Sequence, residues 1–183
     1  MVKIDLGCGT KKQADHIGLD RIKFDGVDMV VELGVVPLPF EDASVDEIYT
    51  SHFLEHLTAP QRCQLLNECA RVLKADGKMT LIVPHWASSR AYGDPTHQWP
   101  PIGEMWFCYL SKSWRAENAP HTDLEHDPTG YACDFECTWG YGLNQQLTTR
   151  NQEFQTFAIN YYREAVYDIH ATLKKKVTHG LSA

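Results

Sequence analysis

The stretch Ile4–Asp20, IDLGCGTKKQADHIGLD, constrains the fold of this chain more than any other. An apolar run ends in glycines, a polar linker follows, and a second apolar run ends in an acid. Val2–Leu6 reads as a short buried strand stopping at Gly7, and Ile17–Asp20 as a second strand. Ligands of open α/β sheets bind at the carboxyl ends of strands, and both stops sit at such ends. From Gly9 to Asp20 is eleven positions, where a dinucleotide-binding unit spaces its acid about 20 residues beyond the glycine loop. CGTKKQADHIG cannot hold a full helix, so the first crossover is one turn or a loop. Without a helix N-terminus the partial positive charge that favours a diphosphate is missing. A ligand with a ribose and no phosphate suits the site better. Asp20 would accept hydrogen bonds from both ribose hydroxyls; an isolated acid would more simply end a strand in a turn.

The pattern continues along the chain. Met29–Leu33 reads as a third strand and Val45–Tyr49 as a fourth, with Ser51–Leu57 a loop leading into a helix. Pro60 sits in the first turn of that helix, where proline is tolerated. Leu65, Leu66, Cys69, Val72 and Leu73 give it one apolar face, and Gly77 in KADGK is expected to close it. Met79–Val83 is apolar on both faces, as a central parallel strand is. Phe135–Tyr141 reads as a strand, residues 151–163 as a helix with Phe154, Phe157, Tyr161 and Tyr162 on one side, and Val166–Leu173 as the final strand. Lys174–Lys176 reads as a solvated strand end. Alternating strands and helices of these lengths predict a doubly wound α/β sheet in a single domain, residues 1–183.

Bulk properties exclude some function classes. With 183 residues, a net charge of −7 and a pI near 5.7, the chain is ill suited to nucleic acid, whose binding rests on neutralising phosphates. No run of about 18 apolar residues exists to span a membrane. Met1 leads into a strand within three residues, which leaves no room for a signal peptide. The six cysteines are scattered, and the expectation is reduced thiols in a cytoplasmic protein.

The motifs IDLGCGT, Asp20, PLPFEDASVDEIYTSHFLEH and RVLKADGKMTLIVP occur in this order. The set resembles the class I S-adenosylmethionine-dependent methyltransferases. More narrowly, it is similar to small bacterial members with a shortened first crossover and a P-H-x-x-S-x-x-A-Y-x-D-P-T-H segment, here Pro84–His97. The resemblance covers residues 3–97 and, more weakly, YDIHATLKK. It is specific for the superfamily and says little about the acceptor. It implies a Rossmann-like sheet of about seven strands, mostly parallel with an antiparallel last strand, and S-adenosyl-L-methionine as cofactor. It implies that Asp5, Gly7 and Gly9 surround the methionine portion and that Asp20 takes the ribose hydroxyls. Glu32 and Leu33 would lie at the adenine, and Ser51 and His52 near the sulfonium. The usual third glycine is replaced, since Thr10, Lys11 and Lys12 follow Gly9. Lys12 either takes the cofactor carboxylate or faces solvent.

Methyl transfer from a sulfonium is an in-line displacement, and a hydroxyl acceptor needs a base to take its proton. Histidine is apt near neutral pH. His85 directly follows the fifth strand, and His97 lies three residues after Asp94, so the two could form an orienting carboxylate–imidazole pair. His97 could equally pin a turn, and His52 is a further candidate with packing as its plainer role. Glu55 and His56 are expected to cap or brace the next helix. Residues 86–130, with four of the five tryptophans, read as an acceptor-side insertion or lid, built as a pocket, a small hydrophobic core, or both. The His, Asp and Cys residues between 85 and 137 are too dispersed to mark a metal site, and none is assigned. The expected acceptor is an O or N atom of a small molecule, a glycan or natural-product intermediate. The alternatives are a protein or peptide acceptor and a non-catalytic cofactor-binding subunit; the oligomeric state is open.

Overall fold

The computed structural model describes residues 1–176; residues 177–183 of the expected domain lie outside them. In chain order the elements are β1 (Lys3–Leu6), β2 (Ile17–Asp20), β3 (Met29–Val30), β4 (Val45–Ser51), α1 (Ala59–Val72) and β5 (Leu73–Pro84). They continue with α2 (Arg90–Gly93), α3 (Glu104–Cys108), α4 (Lys112–Asn118), β6 (Phe135–Leu143), α5 (Gln145–Thr148), α6 (Gln152–Tyr161) and β7 (Val166–Lys175). The strands form one seven-stranded sheet in the order β3-β2-β1-β4-β5-β7-β6. β1 to β5 pair in parallel, and β7 runs antiparallel to both β5 and β6. This is the predicted α/β sheet with an antiparallel last strand.

The centre of the sheet is dry. Ile4, Leu6, Leu19, Ile48, Met79, Leu81 and Val83 are all buried, each contributing roughly 2 kcal/mol of apolar burial. On α1 the predicted face of Leu65, Leu66, Cys69 and Val72 is buried against this layer. Thr58 precedes the helix, and its N–H donates to Gln61 Oε1 at 2.9 Å, half of a capping box. The first crossover holds no helix, as its length requires.

Two boundaries differ from the sequence reading. Gly77 does not close α1. The helix ends at Val72 because Ala43 and Ser44 donate their N–H groups to the carbonyls of Arg71 and Val72 at 3.0 and 2.9 Å. With those carbonyls satisfied, no glycine cap is needed. The chain passes straight into β5, whose pairing with β4 is irregular between Val45 and Glu47. The third strand is only Met29–Val30, so Glu32 and Leu33 lie beyond it. The lysine run is also not simply solvated: Lys175 Nζ donates to the Leu73 carbonyl and Lys176 Nζ to Ser111 Oγ, each at 3.0 Å.

Candidate active site

The glycine loop folds back on the sheet. Gly7 has φ +68°, and a Cβ there would come within 2.2 Å of the Phe53 ring, so only glycine fits. The N–H groups of Gly7 and Cys8 donate to the Leu19 carbonyl at 2.8 and 3.3 Å, and that of Gly9 to Asp20 Oδ2 at 2.9 Å. These donors are spent within the protein and cradle no anion, in keeping with a ligand that lacks phosphate. A Cβ at Gly9 would meet nothing within 4 Å. Asp20 Oδ1 accepts from the Ile22 N–H at 3.0 Å. Each carboxylate oxygen thus keeps a lone pair for a hydroxyl donor. Asp5 is buried and accepts from the Gln13 N–H at 2.8 Å, fixing the loop from beneath; burial pushes its carboxyl up, against that hydrogen bond.

A cleft of about 610 Å³ opens at these strand ends, lined by Gly7, Asp20, Glu32, Leu33 and His52 among the predicted residues. Arg21, Phe53, His56, Gln61, Thr96 and Gln98 also line it and were missed. Thr96 and Gln98 follow β5 far along the chain, and only the fold brings them there. Asp5, Gly9 and Ser51 stand next to the cleft in sequence without lining it. Lys12 is turned away. Its ammonium pairs with Asp28 Oδ2 at 2.8 Å, and the Gly18 N–H donates to the same oxygen.

The histidines separate. His52 has φ +52° and lines the cleft. Its Nδ1 lies 3.5 Å from Glu55 Oε1, and that carboxylate raises the imidazole pKa. His85 is buried and fully engaged: Nδ1 accepts from the Ala87 N–H at 3.3 Å. Nε2 therefore carries the proton and donates to Glu104 Oε1 at 3.0 Å. With no free lone pair, His85 is a brace for Glu104 and not a base. That hydrogen bond, with help from the Tyr141 hydroxyl at 3.0 Å, pushes the Glu104 carboxyl down to about 2. The expected Asp94–His97 pair is not a hydrogen bond either. The two stand 3.9 Å apart, Asp94 accepts from the Thr96 N–H and hydroxyl, and His97 Nδ1 lies 3.3 Å from the Ala91 carbonyl. Asp94 holds a turn.

Beside the cleft lies a second cavity, of about 900 Å³, walled by Trp86, Tyr92, Trp99, Trp106 and Tyr131 among others. Consecutive residues serve the two spaces: Thr58, Gln61 and Gln98 face the first, while Ala59, Arg62 and Trp99 face the second. Behind the aromatic wall sits a small core, in which buried Phe107 stacks on Trp139 at 5.3 Å and Trp106 Nε1 donates to the Tyr131 hydroxyl at 3.0 Å. Trp114 packs on Tyr109, which lines the cavity, and does not line it itself.

Residues 4–81 match the family described as a methyltransferase domain. Over that segment, which holds the glycine loop, Asp20 and His52, the chain matches a methyltransferase domain. Its fold is similar to that of a SAM-dependent methyltransferase from Archaeoglobus fulgidus, at 20% identity and a TM-score of 0.64, over 94% of this chain and 85% of that one. It is similar to a chain of the Haloferax volcanii complex that contains the Trm112 methyltransferase activator (16% identity, TM-score 0.53, 97% and 83% covered). It is also similar to a SAM-dependent methyltransferase from Methanosarcina mazei (15%, 0.53, 96% and 92%). A search of curated proteins returns no match. The methyltransferase domain's cofactor, S-adenosylmethionine, fits the residues present: free carboxylate lone pairs at Asp20, open space above Gly9, and no demand for a phosphate cradle. When bound, it supplies an electrophilic methyl group on a sulfonium. No described helix is long and apolar enough to cross a membrane.

Proposed function

We propose that this methyltransferase domain methylates an oxygen or nitrogen atom of a small molecule, of the glycan or natural-product-intermediate kind. The observation that carries the reading is the aromatic-walled cavity adjoining the cofactor cleft. Its size suits a small ligand, and its apolar walls suit a flat or apolar one. Trp99 is 76% exposed and Trp86 and Tyr92 are each 49% exposed, a patch that an acceptor would cover. Asp20 holds the ribose hydroxyls, Glu32 and Leu33 border the adenine, and the Gly7–Phe53 contact fixes the loop between them. His52, the predicted base that lines the cleft, takes the proton of a hydroxyl acceptor; an amine needs no such help. All six cysteines are unpaired, which suits a reducing compartment, and we place the protein in the cytoplasm.

The test has two stages. Isothermal titration with S-adenosylhomocysteine, beside NADH as control, is expected to show micromolar binding weakened at least tenfold, about 1.4 kcal/mol, by Asp20→Ala. Labelled methyl transfer to a panel of small phenols, amines and glycosides, beside a peptide pool, follows. Transfer to panel members, with KM raised by Trp99→Ala, supports the proposal. Transfer to peptides alone replaces it with a protein acceptor, and cofactor binding without any transfer favours a non-catalytic subunit.

A further inference from the structure

We propose that Glu55, His56 and His97 form a binding site for one divalent transition-metal ion, of the zinc or cobalt(II) kind, at the edge of the cofactor cleft. One ligand atom from each lies within 4.8 Å of the others. In a tetrahedral zinc site, ligand atoms stand roughly 3.3 Å apart, so small side-chain rotations close the set. Glu55 and His56 belong to the turn after β4, and His97 comes from the segment after α2, 41 residues later. Only the fold makes the cluster.

The first argument is an orphaned charge. Glu55 is 5% exposed, and neither of its carboxylate oxygens has a hydrogen-bond partner. A buried carboxylate without donors is costly. The His52 imidazole approaches Oε1 at 3.5 Å and leaves Oε2 unserved. The neighbouring buried guanidinium of Arg62 is already spent on the carbonyls of Leu54, Glu55, Gln98 and Pro100. Oε2 is thus left without a donor or a cation among the described residues.

The second argument is the state of the two imidazoles. His97 Nδ1 faces the Ala91 carbonyl at 3.3 Å, an acceptor only, so Nδ1 carries the proton. His56 Nδ1 lies 2.8 Å from Thr96 Oγ1, and that hydroxyl gives its own proton to Asp94 Oδ1 at 2.7 Å. Thr96 Oγ1 must therefore accept, and His56 Nδ1 also carries the proton. Both Nε2 lone pairs are left free. Metal-bound histidines are held in this way, with the far nitrogen donating to a carbonyl or to a carboxylate relay. The rings meet edge to face at 4.7 Å. Two imidazoles and one carboxylate favour a transition metal over magnesium or calcium, and three protein ligands leave a position open.

The inference stands on these residues and is independent of the acceptor proposed above. Dialysed protein is titrated with Co2+, followed by visible absorption, and with Zn2+ by calorimetry, for wild type, Glu55→Gln, His97→Ala and the control His121→Ala. One equivalent is expected to bind wild type and His121→Ala with a micromolar or tighter Kd. Each cluster variant is expected to bind at least about tenfold more weakly. Zn2+ raises the melting temperature of wild type and not of Glu55→Gln. In Co2+-loaded wild type, proton NMR shows two shifted imidazole N–H signals; this readout needs no variant to fold. No binding by wild type, binding indifferent to both cluster substitutions, or fewer than two such signals overturns the site. S-adenosylhomocysteine titration on the same samples keeps this outcome separate from that of the cofactor site.

Discussion

On the cofactor side of the sheet, Ile4, Leu6, Leu19 and Ile48 are fully buried, and the glycine loop has no room for a methyl group at Gly7. On the other side, beyond β5, Trp99 and Met105 are 76% and 63% exposed, and a Cβ at Gly140 would meet nothing within 4 Å. The two sides answer to different demands. A cofactor of fixed shape is met by a close-packed, over-determined loop, in which one glycine decides the geometry. On the other side large side chains are left uncovered, which forgo folding energy and keep a surface for binding.

The sharpest way to break this contrast is to make one change on both sides. Gly7→Ala combines a left-handed backbone with a clash into Phe53 and is expected to cost about 3 kcal/mol or more. Gly140→Ala is expected to shift stability by less than about 1 kcal/mol. Urea unfolding measures both, and equal losses would remove the distinction. Next in size is Glu104→Gln, expected to cost about 2 kcal/mol at pH 7, discounted for partial exposure. The Glu104 carboxyl is held down to about 2 in the fold, against an ordinary value of 4.5. Its contribution is therefore complete above pH 4.5 and is lost as pH falls toward 2. The gap between wild type and Glu104→Gln should shrink over that window; a gap that stays constant would show that packing, not charge, is at work. Smallest is Trp99→Ala, expected to change stability by less than about 0.5 kcal/mol, since most of its surface is already in water. A large drop in melting temperature would mean that the aromatic wall is structural.

How legible these features were in the sequence follows from what each depends on. β2 and the buried face of α1 were readable because period and burial are local properties of the chain. The short first crossover was readable from its length alone. Gly77 was misread because the carbonyls it would have capped are taken by Ala43 and Ser44, which are distant in sequence. His85 looked like a base by position, and only its two hydrogen bonds show that no lone pair is free. Lys12 sits beside the glycines in sequence, yet its ammonium is taken by Asp28. The Glu55–His56–His97 cluster carried no readable signal, because its members lie in two segments that meet only after the sheet has formed.

β7 occupies an interior place in the sheet, between β5 and β6, although it is built from the last described strand, Val166–Lys175. A chain leaving the ribosome can assemble β1 to β5 once residue 84 has emerged. β6, complete at residue 143, must wait for about thirty more residues of synthesis, a few seconds at 5–20 residues per second. Until then it has no neighbour to pair with, and its unpaired edge is the kind that captures other chains. The sheet is thus built in two acts, β1 to β5 first and β6 only with the arrival of β7.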